Sequence, residues 1–213
     1  RYLTFPEMQD QLFWCVYIAL NNCPSFKRHE KRFISNSSYS SLMGNLSKST
    51  NIMMDIKADI VEYFSENFKR MKNINVKLTN AAIQEIMSDL ATNRVSTIKS
   101  LYAYAVYFDV RIFVVKDEFY LDLNPTSTNY EKDCAVLIIK KNKEYGAHYA
   151  ASLYVNEIEK EYFKLETYEN PLKPISKYTI TELRDLAHYF DLKYDKKPDK
   201  QTLYRDLCRV CEW

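Results

Sequence analysis

Glycine is scarce in this 213-residue sequence, in which Gly44 and Gly146 are the two present. The loops that cradle phosphates in nucleotide-binding proteins need several glycines within one short segment. The sequence therefore excludes Walker-type and dinucleotide-binding loops. It also lacks a run of about 20 apolar residues, which is the length that a membrane-crossing helix needs. We expect neither a nucleotide cofactor nor a membrane partner.

The sequence also has no large net charge of either sign and no cysteine spacing typical of a disulfide framework. The 30 basic and 28 acidic residues give a net charge of +2, which offers no broad basic surface for nucleic acid. The five cysteines are odd in number and scattered, a usage that favours a reducing compartment. Cys208 and Cys211 form a single CxxC pair with His188 as the one further candidate ligand nearby. A zinc site needs four ligands, so we expect no metal or other cofactor.

The most apolar stretch lies near the N-terminus, where every residue from Leu12 to Leu20 is apolar or aromatic. If the stretch is a helix, it has no polar face and is surrounded by protein. Asp10 could cap it, and a start nearer Cys15 is equally possible. The composition is also consistent with a buried strand. The stretch contains Cys15. A thiol near the N-terminus of a helix is favoured as the thiolate, which is a nucleophile. A buried cysteine can equally be a small core hydrophobe.

The periodicity of the apolar residues changes from helical to strand-like at Asp109. Before it, spacings of three and four predict amphipathic helices over Asp55–Met71, from Thr79 or Asn80, and from Ser96 or Thr97. After it, β-branched and alternating runs predict five strands. Helices followed by a meandering antiparallel sheet indicate an α+β domain. The predicted strands are Val110–Lys116, Phe119–Leu123, Ala135–Lys140, Ala147–Val155 and Glu161–Tyr168.

The fourth predicted strand contains a histidine at its beginning. Alternation places His148 and the small Ala150 on the face opposite Ala147. That face has room for a helix carrying Cys15, so a thiol–imidazole pair is one interpretation. The other is a histidine that is hydrogen-bonded to backbone at a strand end.

An early buried helix with a cysteine, followed far downstream by a histidine opening a strand, is the chain order of papain-like thiol proteases. Gln9 lies six residues before Cys15, the spacing at which those enzymes place their oxyanion-hole glutamine. Trp14-Cys15 and His148-Tyr149 resemble their cysteine and histidine boxes, including those of deubiquitinase-type members. The run around Cys15, together with residues 170–178, resembles an uncharacterised papain-like family of large nucleocytoplasmic DNA viruses. The resemblance departs in two places: the cysteine box has no glycines, and no Asp or Asn follows His148 within two residues.

The resemblance implies a papain-like fold and a catalytic site. In that site Cys15 would attack a carbonyl, His148 would act as general base, and Gln9 would stabilise the oxyanion. A third residue would orient the imidazole. Glu166 is the first choice for it and Asn170 the reserve. Glu166 could equally be a solvated charge on an amphipathic strand.

Beyond Pro171 the pattern predicts a separate pair of helices. Thr179 or Thr181 caps the first, Asp199 caps the second, and their apolar residues face one another. The unit is similar to SAP-type and LEM-type two-helix modules, some of which bind DNA and others proteins. Its basic and acidic residues balance, which favours protein docking over nucleic-acid binding. We therefore divide the chain into an α+β domain, 1–170, and a helical hairpin, 171–213.

Two functions are consistent with these expectations. The first is a thiol hydrolase acting on a peptide or ubiquitin-like protein. The second is a non-catalytic structural protein of a virion, such as a minor capsid or scaffold component that contacts other virion or capsid proteins. Either would be found in the virion or the host cytoplasm. The first requires the Cys15 sulfur and the His148 imidazole to lie within about 4 Å of each other.

Overall fold

The computed structural model describes residues 4–22, 46–126, 134–194 and 196–213. These residues form a mixed α+β fold with seven α-helices and a five-stranded sheet. Short 3₁₀ helices cover Phe68–Lys72 and Ile175–Lys177. The α-helices are α1 Gln11–Asn21, α2 Leu46–Glu66, α3 Asn80–Thr92, α4 Ser100–Tyr107, α5 Ser152–Glu161, α6 Ile180–Tyr189 and α7 Lys200–Val210. The strands are β1 Arg111–Lys116, β2 Phe119–Leu123, β3 Cys134–Lys141, β4 Glu144–Ala151 and β5 Phe163–Lys164.

Helix α1 is the centre of the main hydrophobic core, as its sequence predicts. The residues from Leu12 to Leu20 are all buried. Asp10 caps the helix by accepting a hydrogen bond from the Phe13 amide at 3.1 Å. The rings of Phe13, Trp14 and Tyr17 pack against one another with centroids 5.1 to 5.9 Å apart. A helix buried on all sides in this way positions any side chain that it carries rigidly.

The sheet is mixed, with strand order β4-β3-β1-β2-β5. The expectation of an antiparallel meander is therefore wrong. The pairs β1–β2 and β3–β4 are antiparallel hairpins, whereas β1–β3 and β2–β5 are parallel. The topology differs because β3 pairs with β1 and not with β2, the strand that precedes it in the sequence. Strand lengths and alternation predict the strands but not which of them are neighbours.

The segment after β4 differs most from its prediction. The expected strand Ala147–Val155 ends at Ala151, and the chain continues as α5. The expected strand Glu161–Tyr168 is reduced to the two residues of β5. Val155 and Ile158 are three residues apart and both buried, which is a helical spacing that short alternating stretches conceal.

Smaller differences concern the ends of the early helices. Helix α2 begins at Leu46, earlier than the expected Asp55, and its last predicted turn is the 3₁₀ helix Phe68–Lys72. Helix α3 is capped by Thr79, as expected. Helix α4 begins at Ser100, a few residues later than expected. None of the helices within the described residues is both long and apolar enough to cross a bilayer.

The two faces of the sheet belong to separate cores. Val136, Ile138 and Ala147 point to the face that α1 covers. Phe113 and Leu137 point to the opposite face, where they pack with Val155 and Ile158 of α5. Because neighbouring residues of a strand point to opposite faces, a shift of one position moves a side chain between these two cores.

The C-terminal helical segment contacts the sheet at several strands, from β5 at one edge to β4 at the other. Phe190 at the end of α6 contacts the rings of Phe119 and Phe163 at 5.2 and 5.3 Å. Trp213 donates its indole N–H to the Tyr145 hydroxyl at 3.3 Å. Leu183 and Leu207 belong to the same core cluster as α1. The domain boundary at residue 170 stays a prediction.

We expect Thr179→Ala to lower the free energy of unfolding by about 1 kcal/mol. Thr179 and Glu182 form a complete capping box, in which each side chain bonds the backbone of the other residue. Equilibrium denaturation with urea measures the loss. Thr92→Ala is the control, because its exposed hydroxyl bonds a carbonyl within α3 and caps no helix. A Thr179→Ala loss no larger than that of Thr92→Ala would contradict the prediction.

Candidate functional site

Cys15 lies in the second turn of α1 and is completely buried. Its thiol donates a hydrogen bond to the Tyr145 carbonyl of β4 at 3.4 Å. Burial, and then the nearby charge of Asp10, raise the pKa of the Cys15 thiol to about 12. The side chain is therefore a protonated donor near neutral pH. A thiolate nucleophile needs the opposite shift.

His148 lies on the other face of the sheet. It is paired in register with Leu137, and directly paired residues point to the same side. Leu137 belongs to the core under α5, and the His148 ring lies 5.5 Å from that of Tyr154 in α5. Ala147, by contrast, faces the core of α1. The expected contact between Cys15 and His148 is therefore not formed: alternation along β4 is as predicted, but α1 packs on the Ala147 face.

Gln9 is an exposed residue of the segment before α1. The glutamine that contacts the Cys15 region is instead Gln11. Its side-chain oxygen accepts a hydrogen bond from the Tyr145 amide at 3.1 Å, and its nitrogen donates to the Pro6 carbonyl at 3.4 Å. Tyr145 thus bonds α1 through both of its backbone groups, an arrangement that docks the helix on β4.

Glu166 and Asn170 lie at the opposite edge of the sheet from His148. Glu166 follows β5, which is four strand positions away from β4, a distance of about 19 Å at the usual strand spacing. Its carboxylate is half exposed and 4.0 Å from the Lys173 ammonium. Asn170 is exposed in the turn that Thr167 closes. Neither residue is placed to orient the His148 ring.

A buried ion pair beneath α1 was not predicted from the sequence. The Lys57 ammonium lies 2.6 Å from the Asp10 carboxylate, and both side chains are at most 1% exposed. Ser96 donates a hydrogen bond to the same carboxylate at 2.7 Å and also bonds the Tyr104 hydroxyl. Lys57 further donates to the carbonyls of residues 93 and 94 at 3.3 Å. A signal was present, because Lys57 occupies the apolar stripe of α2 between Met53 and Ile60.

A second charged cluster lies at the end of the face covered by α5. Arg111 donates two hydrogen bonds to Asp122, at 2.8 and 2.9 Å, and one to Glu159 at 2.7 Å. Lys164 donates to Asp122 at 2.8 Å. The cluster joins β1, β2, β5 and α5. Burial alone would raise the pKa of Asp122, but hydrogen bonds from Arg111 and Lys164 and their charges hold that pKa below its usual value.

An open groove of about 630 Å³ lies between β5 and α6. Apolar and aromatic side chains supply part of its surface, and charged residues of both signs line the remainder. The apolar and aromatic residues are Phe163, Pro171, Tyr178, Leu186 and Tyr189. Neither Cys15 nor His148 lines it.

The part of the chain that the structure describes holds no group of three His, Cys, Asp or Glu side chains arranged to bind a metal ion. Cys208 and Cys211 are free thiols at the end of α7, and Cys211 is buried. Burial raises the pKa of Cys211 to about 12.

Comparison with protein-family models, with curated proteins and with solved structures finds no match to this chain. A function must therefore be inferred from the arrangement of its own residues.

Proposed function

We propose that this chain is a non-catalytic structural protein that acts by binding other proteins. The observation that carries this proposal is the position of Cys15, whose thiol donates to the Tyr145 carbonyl inside the core. A hydrolase would need that sulfur to be ionised, open to substrate and beside a base. Its bond to β4 gives it a structural task instead, which is to help dock α1 on the sheet.

The setting in a virion, as a minor capsid or scaffold component, rests on the resemblance to the papain-like family of large DNA viruses. In this proposal the chain would be related to papain-like proteases but would have lost their catalytic activity. Fold does not determine function, and loss of a catalytic pair from such a scaffold leaves its surfaces intact for binding. Other virion or capsid proteins are the partners that the proposal implies.

Alkylation of Cys15 tests the proposal against the hydrolase alternative. We expect iodoacetamide at pH 7.5 to modify Cys15 in the folded protein at least a thousandfold more slowly than in the unfolded chain. A thiol pKa near 12, compared with the usual value near 9, lowers the thiolate fraction by about that factor. Peptide mapping by mass spectrometry follows each cysteine, and the half-buried Cys208 in the same sample confirms that the reagent is active.

His148→Ala provides the second arm of this experiment. We expect the variant to leave the slow modification of Cys15 unchanged, since the two residues lie on opposite faces of the sheet. We also expect no covalent adduct with a ubiquitin vinyl-sulfone probe. Rapid modification of Cys15 that His148→Ala abolishes would overturn the structural proposal and support a thiol hydrolase.

A further inference from the structure

The groove between β5 and α6 combines features that suit an extended peptide. Its volume of about 630 Å³ lies within the usual range for ligand sites. Phe163 forms its apolar floor and is held by an edge-on contact with Phe190 at 5.3 Å. Tyr189 stands at its rim with 55% of its surface exposed. Covering a large exposed aromatic side chain beside an apolar floor removes apolar surface from water, which favours binding of a partner.

The wall formed by β5 is the edge strand of the sheet. The amides of Phe163 and Leu165 donate to the carbonyls of Glu118 and Tyr120, at 2.8 and 2.9 Å. Successive backbone groups of a strand point in opposite directions, so the amide and carbonyl of Lys164 point away from β2. Lys164 lines the groove. A peptide lying along it in an extended conformation could bond these two groups, as in strand addition.

The opposite wall, formed by α6, is acidic. Glu182 and Asp185 are three residues apart, which places them side by side on one helix face. Backbone and side-chain hydrogen bonds from Thr179 lower the pKa of Glu182, so it is ionised at neutral pH. Of the two lysines that line the groove, Lys164 is already bonded to Asp122. Lys173 lies 4.0 Å from Glu166, and the charge of Lys200 acts on Glu182, which leaves Asp185 as the carboxylate of α6 that can meet a positive ligand.

We infer that this groove binds an extended segment of a partner protein in which an apolar side chain is flanked by basic residues. The apolar side chain would cover Phe163 and Tyr189, and a basic side chain would meet Asp185. The inference rests on the proposed function, since it names the surface through which a binding protein would act. The edge strand favours an extended backbone, the aromatic floor favours an apolar side chain, and the acidic wall of α6 favours a basic side chain.

Two blocked tetrapeptides, Lys-Leu-Phe-Lys and Glu-Leu-Phe-Glu, test the inference by titration into the ¹⁵N-labelled protein. The first should shift the amide signals of β5 and of α6, with saturation below about 2 mM, a weak affinity suited to four residues. The second has the same apolar pair and reversed charge. It should bind at least tenfold more weakly, because it places carboxylates beside Asp185.

Variants of the chain locate the site. Asp185→Lys should weaken binding of the basic peptide about tenfold, and Tyr189→Ala about fivefold. Both positions are exposed, so the fold is expected to tolerate the changes. Glu182 is left unchanged because it belongs to the capping box. Glu157→Lys is the matched control, since it reverses an exposed acidic charge on α5, outside the groove, and should leave the affinity unchanged.

Three results would overturn the inference: no saturable binding of the basic peptide, equal binding of both peptides, or equal effects of Asp185→Lys and Glu157→Lys. Each leaves the proposed structural role standing, because that role depends on Cys15. Rapid alkylation of Cys15 that His148→Ala abolishes would instead remove the structural role and leave peptide binding in the groove as a separate property. The two outcomes are thus distinguishable.

Discussion

Asp10→Asn is expected to lower the free energy of unfolding by about 3–5 kcal/mol. The substitution keeps an oxygen that can cap α1 through the Phe13 amide, so the loss isolates the charge. It leaves the Lys57 ammonium buried without an anion, next to carbonyls at 3.3 Å and on a side chain that is 1% exposed. Chemical denaturation at pH 7, followed by tryptophan fluorescence, measures the change because Trp14 lies in the adjacent core.

A double-mutant cycle gives this prediction its control. Lys57→Met alone should also be strongly destabilising, whereas Asp10→Asn combined with Lys57→Met should lose much less than the sum, because neither charge is then unpaired. The exposed pair of Lys99 and Glu85, 2.9 Å apart, is the comparison. Glu85→Gln should cost less than about 1 kcal/mol. Strictly additive losses for Asp10 and Lys57 would show that the pair is not coupled.

The sequence predicted the elements that depend on local patterns. The all-apolar stretch predicted a segment buried on every side, and the structure shows it as a helix. Four of the candidate capping residues, Asp10, Thr79, Thr179 and Asp199, cap the helices that follow them. A capping residue bonds an amide only two or three residues away, so its role is encoded locally. The mixed α+β class followed from the change of periodicity at Asp109.

The candidate site depended on which face of the sheet the buried helix would cover, and no local pattern contains that information. Alternation correctly separated His148 from Ala147, but it could not state that α1 packs against Ala147. The interpretation of Ser152–Val155 as strand concealed α5, which occupies the face of His148. Short apolar stretches of this kind are ambiguous between strand and helix. Spacing along a chain can suggest a catalytic pair. The two side chains meet only if the helix packs on the same face of the sheet to which the histidine points.

Asp122→Asn is the second substitution with a large expected effect, and its effect should depend on pH. At pH 7 we expect a loss of about 2–3 kcal/mol, because Arg111 and Lys164 lose the carboxylate that joins β1, β2 and β5. The Asp122 side chain is 3% exposed, so water replaces these bonds poorly. Urea denaturation of both proteins between pH 7 and pH 2 measures the difference.

The direction of the pH dependence follows from the lowered pKa of Asp122, in which the hydrogen bonds from Arg111 and Lys164 and their charges overcome the opposing effect of burial. The native pKa lies below that of the unfolded chain, which is about 3.9. The stabilisation is therefore complete above about pH 4 and is lost as the pH falls through the native pKa. The stability gap between wild type and Asp122→Asn should accordingly narrow in acid, since a protonated Asp122 resembles the amide.

Glu159→Gln serves as the matched control for this cluster. Glu159 accepts one bond from Arg111 at 2.7 Å, but its side chain is 37% exposed, so its loss should cost less than about 1 kcal/mol. If Asp122→Asn and Glu159→Gln cost the same, or if the Asp122→Asn gap stays constant from pH 7 to pH 2, Asp122 does not organise the cluster. A narrowing gap for Asp122 alone would establish it as the carboxylate that fixes β5, and with it one wall of the groove, to the rest of the sheet.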